Sequence, residues 1–112
     1  MKISDLLENL QKNLLEYDRL QSLLDAKIHD KEYLTATTPA KEIALKYQMR
    51  RFDEVSDKVC AAFRFLNAVP DLHMKSALTL RYLGGLPWVL IDVLFSDDMS
   101  RRCSELIERL EA

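Results

Sequence analysis

Apolar side chains recur at spacings of three and four along the first quarter of the chain, and this periodicity predicts an amphipathic helix. The stripe consists of Ile3, Leu6, Leu7, Leu10, Leu14, Tyr17, Leu20 and Leu24. Because Ser4 and Asp5 suit an N-cap and an acidic first turn, we expect the helix to run from near Ser4 to about Ile28.

A second amphipathic stripe follows the segment Thr35–Pro39, which interrupts the first pattern. Thr38 before Pro39 predicts an N-cap and a first helical residue, and we expect this helix to continue to about Asn67. Its nearly heptad stripe consists of Leu45, Phe52, Val55, Val59, Ala62 and Leu66. Two long stripes joined by a short loop predict an antiparallel, coiled-coil-like hairpin over residues 1–67.

Three shorter helical segments follow over residues 68–112, and we expect them to form a compact head. Gly84 and Gly85 end the first of these, because glycine tolerates the left-handed conformation that a helix C-terminus often needs. Ser96 is interpreted as the N-cap of the last segment, with Asp97 and Asp98 in its first turn. The segments are expected at about Pro70–Leu83, Pro87–Phe95 and from Ser96 onward, and the last is expected to bury Cys103, Leu106, Ile107 and Leu110.

The second segment of the head is apolar on nearly every side. Its apolar residues are Val89, Leu90, Ile91, Val93, Leu94 and Phe95. Such a helix has to be covered on most sides, and the head alone is too small to cover it. We therefore expect it to pack against the hairpin or against a second subunit, with Val89, Leu90 and Val93 as candidate interface residues.

The composition agrees with an all-α fold. The 112 residues include only two glycines and three prolines, too few breaks for a many-stranded β fold. Apolar residues make up 48% of the chain, which is the ordinary globular range and disfavours disorder. We expect hairpin and head to form one cooperative unit.

The sequence contains few residues in patterns typical of catalytic, nucleotide-binding or metal sites. His29 and His73 stand alone, outside any metal-ligand spacing, and no nucleotide-binding or nucleophile motif occurs, so we expect no enzyme, cofactor or metal. Cys60 and Cys103 form no CxxC pair and are expected to be core or half-buried free thiols in the cytoplasm. No apolar run is long enough for a membrane span.

The last third of the chain has the order of a helix-turn-helix, whose final helix enters the major groove of DNA. Hydroxyl groups suit phosphate, and guanidinium groups suit phosphate or guanine; the candidate contacts are Ser96, Ser100, Arg101 and Arg102. The net charge is −2, so DNA binding depends on a local basic patch. Alternatively, the two arginines form a solvated face balanced by Glu105 and Glu108, and composition alone does not decide.

An ordered set of residues spans the predicted glycine turn. Leu80-Arg81-Tyr82-Leu83 is followed by Gly85-Leu86, then by Trp88 and, three positions later, by Ile91. This order resembles the ArpU-like phage transcriptional regulators, whose C-terminal half is similar to region four of bacterial sigma factors. The match covers the second half of the chain, and the first half only in its helical, charged character.

The resemblance implies sequence-specific binding of double-stranded DNA and transcriptional control within a prophage, and we expect such a regulator to be a homodimer. The resemblance places Arg101 near the family's arginine in the recognition helix. It also makes Arg81, Tyr82, Trp88 and Ile91 framework residues of the head.

The chain departs from the family pattern at three places. Pro87 replaces a polar capping residue, which a first helical position tolerates. Val89 and Leu90 stand where the family has two polar, usually acidic residues. The turn after Phe95 is expected to be shorter than the family's and lacks glycine, which would rotate the last helix away from a groove-reading pose.

These departures support an alternative hypothesis. The head would be a degenerate helix-turn-helix that binds a protein partner, such as RNA polymerase or another phage protein, and not DNA. The hairpin or the surface of Val89, Leu90 and Val93 would then carry the contact.

Overall fold

The computed structural model describes residues 2–29 and 38–111, except for the side chains of Ile28 and His29. The predicted break at Thr35–Thr37 and the His29 side chain therefore lie outside the described residues. Helices account for all regular structure in the described part, and no strand occurs there, which confirms the all-α prediction. The helices are α1 (Ile3–Glu8), α2 (Leu10–His29), α3 (Pro39–Ala68), α4 (Leu72–Tyr82), α5 (Trp88–Phe95) and α6 (Met99–Glu111).

The prediction of one continuous first helix is wrong, because Asn9 separates α1 from α2. Its Nδ2 donates to the Asp5 carbonyl oxygen at 2.8 Å, and asparagine side chains compete with helical backbone bonds in this way. The N-cap is also Lys2 and not Ser4. The Ser4 N–H donates to Glu111 Oε1 at 2.6 Å, so a tertiary contact with α6 replaces a local cap.

Helices α2 and α3 form the hairpin. Thr38 Oγ1 accepts a hydrogen bond from the Lys41 N–H at 3.3 Å, which confirms the predicted N-cap before Pro39. The Tyr17 and Phe52 rings stack with their centroids 5.0 Å apart. The core of the hairpin consists of Leu20, Val55 and Val59, with Leu14, Tyr17, Phe52 and Phe63 packed around them.

A partly buried ion pair joins the two helices of the hairpin. The Arg51 guanidinium donates through Nε to Glu16 Oε1 at 2.7 Å and through Nη2 to Oε2 at 3.1 Å. This hydrogen bond lowers the pKa of Glu16 and raises that of Arg51. The bidentate geometry helps to hold the register between α2 and α3.

Helix α4 starts after Asp71, whose Oδ1 accepts from the N–H groups of His73 at 2.9 Å and Met74 at 3.1 Å. It ends before the predicted glycine turn, where Gly85 has a φ of +70°. At Gly84, a Cβ would lie 2.7 Å from the Leu80 carbonyl oxygen. Both glycines are therefore needed for the chain to reverse between α4 and α5.

One buried cluster joins the head to the adjoining end of the hairpin. Helix α1 packs on α3 and α6, while α4, α5 and α6 pack on one another. The most buried members are Leu7, Leu10, Ala62, Ala77, Leu78, Ile91, Met99 and Cys103. The predicted boundary between residues 67 and 68 is thus crossed by a continuous core, and the far end of the hairpin extends away from it.

Candidate functional site

The turn between α5 and α6 comprises residues 96–98 and is longer than predicted. Ser96 is not the N-cap of the last helix: it is the C-cap of α5, with a left-handed φ of 50° and ψ of 40°. It occupies a conformation that glycine usually supplies at this kind of helix end. The two helices are therefore joined by a left-handed turn without glycine.

Two carboxylates bind the start of α6. Asp98 Oδ1 accepts from the Arg101 N–H at 3.3 Å, so Asp98 is the N-cap that the sequence pattern had assigned to Ser96. Asp92, on α5, accepts from the Ser100 N–H at 3.0 Å. The Ser100 hydroxyl lies 3.1 Å from Asp92 Oδ2 and 3.0 Å from Asp98 Oδ1, and its single proton can be donated to either.

Arg101 and Arg102 are both engaged in ion pairs within the chain. Arg101 Nε lies 3.2 Å from Asp98 Oδ2, and its Nη1 lies 3.8 Å from Glu105 Oε1. Arg102 contacts the Asp97 carboxylate through Nη1. Its Nη2 lies 3.3 Å from Asp71 Oδ2.

The aspartate partners of these arginines are stabilised in their charged form. The Arg102 hydrogen bond lowers the pKa of Asp97, and the Ser100 hydroxyl is the main cause of the lowered pKa of Asp98. The pKa of Asp71 is lowered chiefly by the Met74 N–H. Carboxylates thus outnumber guanidinium groups at the start of α6, where DNA phosphate would have to approach.

The predicted framework residues meet at the glycine turn. Arg81 Nη1 donates to the Leu86 carbonyl oxygen at 3.2 Å, and its guanidinium carbon lies 5.8 Å from the centroid of the Trp88 ring. Tyr82 meets the same ring edge-on at 6.3 Å. Ile91 is fully buried. The structure thus places all four residues in head packing.

The outward side of α5 is apolar and exposed. The exposed fractions are 74% for Val89, 50% for Leu90, 70% for Val93 and 66% for Leu94. These four residues follow helical spacings of three and four, so they form one continuous surface, which we call the α5 face. The sequence had identified the first three as interface candidates; Leu94 belongs with them, and its place in the apolar run was the signal.

The hairpin does not cover the α5 face, which corrects one of the two expected packings. Helix α5 packs on α4 and α6 and buries Ile91 between them. The only polar side chain in its middle, Asp92, is directed to Ser100. The exposed side of α5 therefore carries no charged group.

The two cysteines lie in different environments. Cys60 is exposed on α3, which contradicts its expected position in or near the core. Cys103 is buried and lies 3.9 Å from the Met74 carbonyl oxygen. Burial raises the pKa of this thiol to about 11, so it stays protonated at neutral pH. Leu110, also expected to be buried, is exposed at the end of α6.

In the described part of the chain, no group of three histidine, cysteine, aspartate or glutamate side chains is placed to hold a metal ion. No helix within residues 2–29 and 38–111 is long and apolar enough to cross a membrane. His73 is exposed, and its ring lies 5.9 Å from the Phe95 ring.

Comparison with known proteins gives no match. No family model, no curated protein and no solved structure matches the chain. The resemblance to ArpU-like regulators therefore stays a prediction.

Proposed function

We propose that this chain is a protein-interaction module that binds its partner through the α5 face. The observation that carries the proposal is the exposure of Val89, Leu90, Val93 and Leu94 on one side of a single helix. A continuous exposed apolar surface of this kind marks an interaction site in a folded protein, because covering it removes apolar area from water.

The electrostatics of the head support a protein partner over DNA. Arg101 and Arg102 already have carboxylate partners, and Asp97 and Asp98 would lie close to any phosphate that replaced those partners. The α5 face itself offers no group that could bind phosphate. A protein surface of matching apolar character can cover it without burying an unpaired charge.

A photoreactive benzoylphenylalanine at position 89 tests this proposal in the cells that produce the chain. Leu15 is the matched control position, because it is 73% exposed against 74% for Val89 and lies on α2, away from the α5 face. We expect a discrete cross-linked protein product from position 89 and none from position 15. No product from either position, or the same products from both, would contradict the proposal.

DNA binding is the second candidate function, favoured by the geometry of the last turn. The left-handed Ser96 brings a helix of eight residues and a following helix together in the order of a helix-turn-helix. Ser100, Arg101 and Arg102 lie in the first turn of α6, and Ser96 lies in the turn that precedes it. Exposed ion pairs contribute little free energy, so phosphate could replace the carboxylates at low ionic strength. In this proposal the chain regulates prophage transcription on double-stranded DNA.

Fluorescence anisotropy with random duplex DNA at two salt concentrations tests the second candidate. On random duplex DNA, Arg101→Ala should weaken binding and reduce its salt dependence if Arg101 contacts phosphate. If Arg101 reads a base, the loss is about 1–3 kcal/mol and is measured with the specific site. Arg109→Ala, at the far end of the same helix, is the matched control and should leave affinity unchanged. A folded protein without salt-sensitive DNA affinity would remove this candidate.

The proposed setting is the cytoplasm and the proposed role is not catalytic. Both cysteines are free thiols, as suits a reducing compartment. The candidate partners of the α5 face are RNA polymerase or another phage protein, beside a second copy of the chain.

A further inference from the structure

We propose that a second copy of this chain covers the α5 face, with the two α5 helices antiparallel about a twofold axis near their midpoint. This inference depends on the proposed function, because it names the partner of the same face. A twofold contact brings the same surface of two copies together, so that surface has to be complementary to its symmetry-related copy.

The composition of the α5 face meets that condition. Its exposed residues are all aliphatic, and Asp92 is turned away to bind Ser100. Side chains near a twofold axis meet their own copies, so a charged residue there would face a like charge. Two α5 faces can therefore pair without electrostatic repulsion at their centre.

The charges at the two ends of α5 are complementary in the antiparallel arrangement. Arg81 lies at the first end, where it binds the Leu86 carbonyl oxygen. Asp97 and Asp98 follow the second end, where carboxylates outnumber the two guanidinium groups that pair with them, so this end keeps a net negative charge. Antiparallel pairing places the acidic turn of one copy beside the Arg81 end of the other, and it also aligns the helix dipoles favourably. A parallel pairing would instead bring the two acidic turns together.

The size of the face predicts a weak dimer. Four aliphatic side chains that are half to three-quarters exposed provide on the order of 400–500 Å² per copy. Two copies together approach the roughly 1,000 Å² at which specific interfaces begin. We therefore expect a monomer–dimer equilibrium in the micromolar range and not an obligate dimer.

The midpoint of the face fixes which residues meet. Val89, Leu90, Val93 and Leu94 are centred between Ile91 and Asp92, so Leu90 of one copy lies opposite Val93 of the other. Leu90→Lys and Val93→Glu each place two unpaired charges in a homodimer. A mixture of the two variants forms a heterodimer with one Lys–Glu pair and one unchanged apolar contact.

Sedimentation velocity of the full chain over roughly 1–500 µM measures this equilibrium. We expect the wild-type protein to dimerise, each variant alone to dissociate with at least a roughly tenfold higher dissociation constant, and the equimolar mixture to recover dimers. Leu15→Lys and Ile43→Glu are matched controls on exposed hairpin positions, 73% and 70% exposed, and should dimerise like wild type. Circular dichroism checks that every variant stays helical.

Different results overturn the two proposals separately. A wild-type protein that stays monomeric throughout, or variants that dimerise like wild type, overturns the second-copy inference. If a photoreactive group at position 89 then captures a different protein, the proposed interaction function still stands. If the mixture does not recover dimers although both single variants have lost them, the antiparallel pairing is wrong.

Discussion

Ser96 has an unusual backbone for a residue with a Cβ. A left-handed conformation costs an L-residue roughly 1–2 kcal/mol, and glycine avoids most of that cost. The position was expected to be an N-cap, because serine before two aspartates is a common N-terminal pattern. The chain instead uses Ser96 to end α5, and Asp98 takes the capping role.

Replacing Ser96 with glycine is therefore expected to stabilise the folded state. Ser96→Gly removes the Cβ strain and loosens the unfolded chain, so we expect a net gain of about 0.5–1 kcal/mol in the free energy of unfolding. Urea denaturation followed by circular dichroism measures it. The control is Ser104→Gly on the exposed side of α6, which is expected to lose roughly 0.5 kcal/mol. A loss of stability at both positions would contradict the role assigned to Ser96.

The partners of Arg101 and Arg102 could not be decided from the residue type alone. Sequence spacing offered DNA phosphate or nearby glutamates as partners of Arg101 and Arg102. The structure supplies partners that spacing along one helix could not suggest for Arg102: Asp97 in the turn and Asp71 before α4. These contacts use the charge that a DNA-binding helix would keep available.

The helices themselves follow closely from local pattern. Apolar spacing, the Thr38-Pro39 start and the Gly84-Gly85 end are properties of a few neighbouring residues, so their positions could be read from the sequence. The break at Asn9 could not, because asparagine is tolerated inside helices. Asn9 ends α1, which packs on α3 and α6, and that packing depends on distant parts of the chain.

For α5, the sequence pattern predicted burial of most of the helix surface, which the structure does not show. Its apolar character was plain from the sequence, and burial of most of its surface was the reasonable expectation. Within one chain only Ile91 is buried, since α4 and α6 occupy one side and the hairpin passes elsewhere. The remaining apolar face favours a protein partner over DNA.

The molecule as a whole is elongated, with extents of 60 × 28 × 19 Å. Its head and the adjoining end of the hairpin share one core, while the rest of α2 and α3 pack on each other alone. Leu7 on α1 is 1% exposed and belongs to the shared core. Losing its contacts would weaken head and hairpin at once.

Unfolding is consequently expected to be a single transition. Trp88 is the sole tryptophan and its fluorescence follows the head, whereas the far-ultraviolet dichroism is dominated by the long hairpin helices. Leu7→Ala should lower the free energy of unfolding by about 2–5 kcal/mol, equally by both probes. Leu15→Ala, at an exposed position on α2, is the control with little effect. Transitions that separate by probe would mean that hairpin and head unfold independently.

Local sequence was sufficient for the all-α class, the N-cap at Thr38, the glycine turn at Gly84 and Gly85 after α4, and the candidate surface at Val89, Leu90 and Val93. These follow from backbone geometry and side-chain periodicity, which act over one or two helical turns. The tertiary structure alone decided that Asp92 and Asp98 bind the start of α6, that Glu111 binds the first turn of α1, and that the α5 face stays uncovered. Contacts between residues far apart in the chain depend on how the helices pack, and no periodicity within one helix specifies that packing.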